Sequence, residues 1–176
     1  MPDEGEDITS HIDKKYGPGS AARFLSDTSP LYSAGEACGV NFNKDPKRKI
    51  FTTAKCHSLM GYTKGVHGNE KANELMSVMF TAYFVNARSV NQAAVLKELY
   101  AEIGLEWTEE AAACLDPMSE YSQEAEMGDQ AVKMKSVSGV PFFIIERSDG
   151  SAPIVFSGAQ PVEVIQDALE ECSTSD

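Results

Sequence analysis

The sequence predicts an α/β protein whose helices come first and whose strands come last. Apolar residues recur at helical spacing through residues 1–135. An unbroken apolar run then appears, Val140-Pro141-Phe142-Phe143-Ile144-Ile145, as expected of a strand covered on both faces. A turn, a second strand and a proline-started helix finish the chain. The expected organisation is a helical domain over 1–135 and a strand–strand–helix unit over 136–176.

The helices can be justified in order. Asp7 to Tyr16 is a short helix ended by Gly17-Pro18, and Ala21 to Cys38 is helical but broken at Ser29-Pro30, where proline removes a backbone donor. Asn41 to Lys49 is polar, contains Asp45-Pro46 and reads as a loop. Thr53 to Lys64 is a helix expected to stop at Gly65, followed by Asn69 to Val85. The strongest stripe is Val95, Leu96, Leu99, Tyr100 and Ile103, with Ser89 or Asn91 as its cap and Gly104 as its end. Thr108 caps a short helix carrying Glu109 and Glu110 in its first turn. Met118 to Lys135 is longer and more polar, its Met and Ala positions reading as packing residues. In the last unit, Arg147-Ser148-Asp149-Gly150-Ser151 is turn chemistry and Ala152 to Ser157 is the second strand. Pro161 is expected at the first helical position, with Val164, Ile165, Ala168 and Leu169 as the buried stripe.

Charge narrows the function. Against 15 Lys and Arg stand 27 Asp and Glu, a net charge of -12, which repels phosphate backbones and argues against sequence-independent nucleic-acid binding. Lys47-Arg48-Lys49 reads as a solvated loop. No apolar run reaches membrane-spanning length, and the start of the chain is acidic and polar, so the expectation is a cytoplasmic protein without a membrane partner. Cys38, Cys56, Cys114 and Cys172 form no C-x-x-C pair, and no Cys/His spacing fits zinc. Neither a metal nor a cofactor is expected. Cys56 and His57 are neighbours, but adjacent helical residues diverge by about 100°, so they are not a natural nucleophile–base pair.

Ser138-Gly139-Val140-Pro141-Phe142-Phe143 before a strand–turn–strand–Gly–helix resembles the C-terminal half of a thioredoxin fold. Ser157-Gly158-Ala159-Gln160-Pro161 resembles the turn before the last helix of FrnE-like proteins, a branch of the DsbA thioredoxin superfamily. Met1 to Asp7 with Lys15-Tyr16-Gly17, and Ala82-Tyr83-Phe84-Val85 with Val95-Leu96 and Ile103-Gly104-Leu105, resemble the edge and middle of that branch's inserted helical domain. The resemblance implies a thioredoxin-like fold of DsbA type with a large helical insertion, and disulfide exchange as the activity. In such proteins an N-terminal strand–helix–strand carries C-x-x-C, where the helix N-terminus stabilises the thiolate. That segment is not in this sequence. The expectation is therefore a shortened reading frame with Met1 as an internal methionine, redox-inactive by that route and without a catalytic residue of its own.

The same resemblance implies that the Val140-Pro141 bond is cis and that Val140 offers backbone hydrogen bonds to a substrate strand. It implies that His57 could face the reactive thiols, and that Gly158 and Gln160 contact substrate, although Gly158, Ala159 and Gln160 also suit a purely backbone role. Trp107 reads as a packing anchor. The expected partners are a protein or small-thiol substrate and a second copy of the chain through an unpaired strand edge. Two alternatives stay open: a non-catalytic peptide-binding module using the Pro141 groove, and a relative of the glutathione-dependent kappa transferases and hydroxychromene isomerases.

Overall fold

The computed structural model describes residues 4–134, 137 and 139–173. Two compact units separate between Glu126 and Met127, within one continuous helix.

The first unit holds most of the helices. A two-residue strand β1 (Glu6–Asp7) pairs antiparallel with β2 (Lys49–Ile50), so the segment read as a loop ends in a short ladder. Helix α1 (Ile8–Tyr16) turns into α2 (Ser20–Phe24), and the Asp13 carboxylate accepts the Ala21 N–H at 2.7 Å to fix that corner. Ile8, Ile12 and Ala21 form a small core with Phe24, Leu25 and Ile50. Pro30 does not sit inside a helix: it opens α3 (Pro30–Ala37), where its missing N–H is harmless.

Helix α4 (Ala54–Phe80) corrects the expected stop. The chain passes Gly65 in helical form and breaks at Gly68, which has φ 85° and ψ 175°. Gly61 and Gly65 lie inside the helix beside the Tyr121 side chain, where a Cβ would stand in ordinary contact at 3.4 and 3.6 Å. Helix α4 then widens into a π-turn at Thr81–Val85, closed by Asn86 N–H donating to Thr81 C=O at 3.1 Å.

Helix α5 (Ala93–Glu102) begins one residue after Gln92, whose side chain makes no capping bond. Its predicted stripe is the core: Leu96, Leu99 and Tyr100 are almost wholly buried against Leu59, Leu75 and Ala111. Trp107 anchors the cluster edge-on to Tyr100, with ring centroids 5.5 Å apart. Helix α6 (Glu109–Ala113) has the predicted cap, Thr108 Oγ1 accepting the Ala111 N–H at 3.2 Å. Helix α7 (Glu120–Met134) begins with Ser122 bonded to Ser58 at 2.8 Å. Met118 and Met127, expected as packing residues, are exposed.

The second unit contains β3 (Phe142–Ile145), β4 (Ile154–Ser157) and α8 (Val162–Ser173). The strands pair antiparallel, Phe142 opposite Ser157 through Ile145 opposite Ile154. The first strand starts at Phe142 rather than Val140, and it is not buried on both faces: Ile144 is exposed and its neighbours only half-buried. The stripe expected on α8 is corrected too. Ala168 is buried and Ile165 half-buried, but Val164 is exposed and Leu169 is 53% exposed. A two-stranded hairpin is narrower than the apolar arc of the helix, so only part of that arc finds cover. Pro161 lies just before α8 and supplies the carbonyl that accepts the Val164 N–H.

Candidate functional site

Because β3 and β4 run antiparallel, the start of one and the end of the other share one end of the hairpin. There Gly158 N–H donates to Pro141 C=O at 2.8 Å, which carries the ladder one step beyond the strands. Gly158 has φ 84°, a left-handed conformation that lets the chain leave β4 toward α8 without a side-chain penalty. The Gln160 amide donates to Ser157 C=O at 2.9 Å and holds the turn closed. The Val140–Pro141 peptide is cis, and Val140 is 82% exposed. Phe143 and Phe156 stack across the pair with centroids 5.0 Å apart.

The register determines which backbone groups are free for a partner. Opposite residues in an antiparallel pair alternate between bonded and non-bonded positions. Since Pro141 and Gly158 form a bonded position, Phe143 and Ile145 also direct their N–H and C=O groups toward β4. Phe142 and Ile144 direct theirs away. Among the described residues β3 has β4 as its only strand neighbour, so its outer edge is paired with no second strand there. An extended chain could add to it through main-chain hydrogen bonds.

Four of the sequence-predicted site residues, Val140, Pro141, Gly158 and Gln160, therefore come together at one end of the second unit. His57 belongs to the first unit, on the exposed side of the first turn of α4, between buried Cys56 and buried Ser58. Ser157 was missed by sequence reasoning, although its carbonyl is the group that Gln160 grips. A polar residue ending a strand three positions before a glutamine was the available signal.

The thiols are separate and free. Cys56 is buried, its Sγ donating to Val90 C=O at 3.3 Å, and burial pushes its pKa up to about 11. Cys114 is likewise buried, its Sγ donating to Ala111 C=O at 3.1 Å, and desolvation again raises its pKa to about 11. At neutral pH such a thiol is thiolate in only about one part in 10⁴. Neither is a nucleophile. Cys38 is exposed and Cys172 half-buried. Among the described residues no cluster of three His, Cys, Asp or Glu side chains could hold a metal ion, and no helix is long and apolar enough to cross a membrane.

Residues 20–170 match the sequence profile of the DSBA-like thioredoxin domain. The chain belongs to this DsbA-like family. Its fold is the DsbA-like thioredoxin type with a helical insertion, and the family is one of thiol–disulfide oxidoreductases. The crystal structure of a probable DsbA oxidoreductase from Streptomyces coelicolor is similar, with a TM-score of 0.76 and 27% identity over 95% of this chain. This DsbA-like chain covers 67% of that one, about two thirds of its length. A candidate protein disulfide isomerase from Nitrosomonas europaea shares the fold, with a TM-score of 0.62 and 22% identity, covering 88% of this chain and 74% of that one. Comparison with curated proteins finds no match.

Proposed function

We propose that this DsbA-like chain is of the FrnE type and presents the outer edge of β3 to an extended thiol- or disulfide-bearing peptide. The observation that carries this reading is the edge at Phe142 and Ile144, paired with no second strand among the described residues, next to exposed Val140 and the Pro141–Gly158 bond. A substrate strand would bond to the N–H and C=O groups of Phe142 and Ile144, with Val140 and Gln160 at its side. The four cysteines of this chain do not perform the exchange. Cys56 and Cys114 are buried with raised pKa values, and Cys38 and Cys172 have no second cysteine at C-x-x-C spacing. Binding is therefore this chain's part of the reaction, and the thiol chemistry resides elsewhere.

Two measurements test this. Insulin reduction by dithiothreitol should run no faster with the protein than without it. Turnover that survives replacement of all four cysteines would overturn the scheme. Amide shifts on adding an extended cysteine-containing peptide should centre on Phe142 and Ile144. Ile144→Pro removes an outward N–H without touching the β4 ladder and should abolish the binding. Unchanged binding by that variant rules out the edge, as does an edge already occupied by a second copy of the chain, seen as a dimer in sedimentation.

A further inference from the structure

A second concavity lies wholly within the first unit, far along the sequence from the hairpin. It measures about 670 Å³, within the range of small-molecule sites. Three pieces of chain build it: α3, the segment after it, and the π-turn at Thr81–Val85.

Each piece is held in place by identifiable contacts. Helix α3 ends with Gly39 at φ 79°, Val40 N–H donating to Gly35 C=O at 2.8 Å and Gly39 N–H to Glu36 C=O at 3.0 Å. This paired termination reverses the chain sharply. Phe42 can then lie on Gly35, where any Cβ would stand 2.6 Å from the ring. The π-turn leaves the Phe84 and Val85 carbonyls facing outward. Asn43 takes both, its backbone N–H on Phe84 at 2.7 Å and its side-chain amide on Val85 at 3.2 Å. Tyr32, Phe42, Phe84 and Phe80 follow one another as ring neighbours, with centroids 6.5, 5.9 and 5.8 Å apart. Phe80 is 55% exposed at the mouth. The wall is aromatic, exposed at Phe80 and buried at Tyr32, whose ring carries the Lys44 ammonium 4.9 Å from its centroid.

One charge lines this apolar wall. Arg48 has its backbone pinned by Ile8 N–H and Asp45 C=O, and its guanidinium lies over the Tyr83 ring at 5.2 Å. Its Nε is buried without a hydrogen-bond partner, and among the described residues the guanidinium forms no ion pair. The neighbouring lysines differ. Lys44 pairs with Asp27 at 2.6 Å and Lys49 with Asp7 at 2.8 Å. In a chain with 27 acidic residues, a half-buried arginine that lines an aromatic cavity and has no ion pair among the described residues lacks its natural complement. Guanidinium donors form a planar fork that suits a carboxylate.

We propose that this cavity binds an aromatic carboxylate, its ring among Tyr32, Phe42, Phe80 and Phe84 and its carboxylate on Arg48. The ring would meet the wall edge-to-face, the arrangement Phe84 already has with Phe42 and Phe80. The Arg48 Nε would gain the acceptor it lacks.

The test titrates the full chain with 2-naphthoate, with 2-naphthylmethanol of the same shape but no charge, and with octanoate. The naphthoate should bind saturably at one site, about tenfold or more tighter than the alcohol, the factor expected of one charge-assisted pair. Octanoate should bind more weakly than naphthoate. Naphthoate shifts should fall on residues 31–42 and 80–85. Arg48→Gln should erase the preference for acid over alcohol, and Arg48→Lys should restore part of it. The acid–alcohol comparison needs no variant, so it decides even if Arg48→Gln fails to fold. Equal affinity for acid and alcohol, no saturation by about 1 mM, or shifts confined to the hairpin would each overturn the proposal.

Discussion

The two units use similar apolar residues with opposite results. In the first, Leu59, Leu75, Leu96, Leu99 and Tyr100 are almost completely removed from water and pack together across α4 and α5. In the second, Ala168 is the one buried apolar residue among those described, while Val140, Ile144, Val155, Val162, Val164 and Leu169 are exposed. The difference is one of layers. Burial needs two surfaces, and helices packed on helices provide both. A two-stranded ribbon with one helix provides one and a half. Within this chain, the first unit has the core of a domain and the second has a layer of one.

The sharpest way to break this contrast is a matched pair of truncations. Leu99→Ala should cost about 2–5 kcal/mol of stability, while Leu169→Ala should cost about 0.5 kcal/mol or less. Urea unfolding followed by circular dichroism measures both, and equal costs would remove the distinction. A smaller effect is pH-dependent. Burial raises Cys114 from 9.0 to about 11, so the folded chain keeps a proton that the unfolded chain releases. That stabilisation is whole below pH 9.0 and disappears as the pH rises through about 11. The stability advantage of the wild type over Cys114→Ala should therefore shrink between about pH 8 and about pH 10.5, and a constant difference would show that the thiol is not desolvated. Next comes Thr108→Ala, which removes the cap of α6 and should cost about 1 kcal/mol in the same urea experiment. The smallest effect belongs to the open layer: Val164→Lys with Leu169→Lys should leave stability within about 0.5 kcal/mol. The same pair should lower the fluorescence of a bound naphthalene-sulfonate dye, and undiminished dye binding would mean that the exposed stripe is not what the dye detects.

Periodicity made α5 legible, because an apolar stripe at helical spacing needs a core to face and the first unit supplies it. The same pattern on α8 misled, since spacing shows that a face exists but not whether anything covers it. Gly65 misled for a related reason: glycine permits a helix to end but does not require it, and the break falls at Gly68, the glycine that takes up positive φ. The hairpin and its turn at Gly158 were readable from local chemistry. Arg48 was not. A basic triplet in a polar loop gives no hint that its middle member lies over Tyr83, a contact set by β1 pairing with β2. The aromatic cavity was hidden for the same reason, since its rings come from residues 32 to 84 and meet only because Asn43 clasps the π-turn.

That π-turn has a consequence for how the gene can change. Its winding accommodates one residue more than regular α-helix would, and each residue of α-helix advances by about 100°. Deleting a single codon between Thr81 and Val85 would not simply shorten the chain. It would return the segment to ordinary winding, swing the Phe84 and Val85 carbonyls back along the helix axis, and leave Asn43 without either acceptor. The change would be felt at the Asn43 clasp rather than in α5, because the non-helical residues 86–92 separate that helix from the winding upstream.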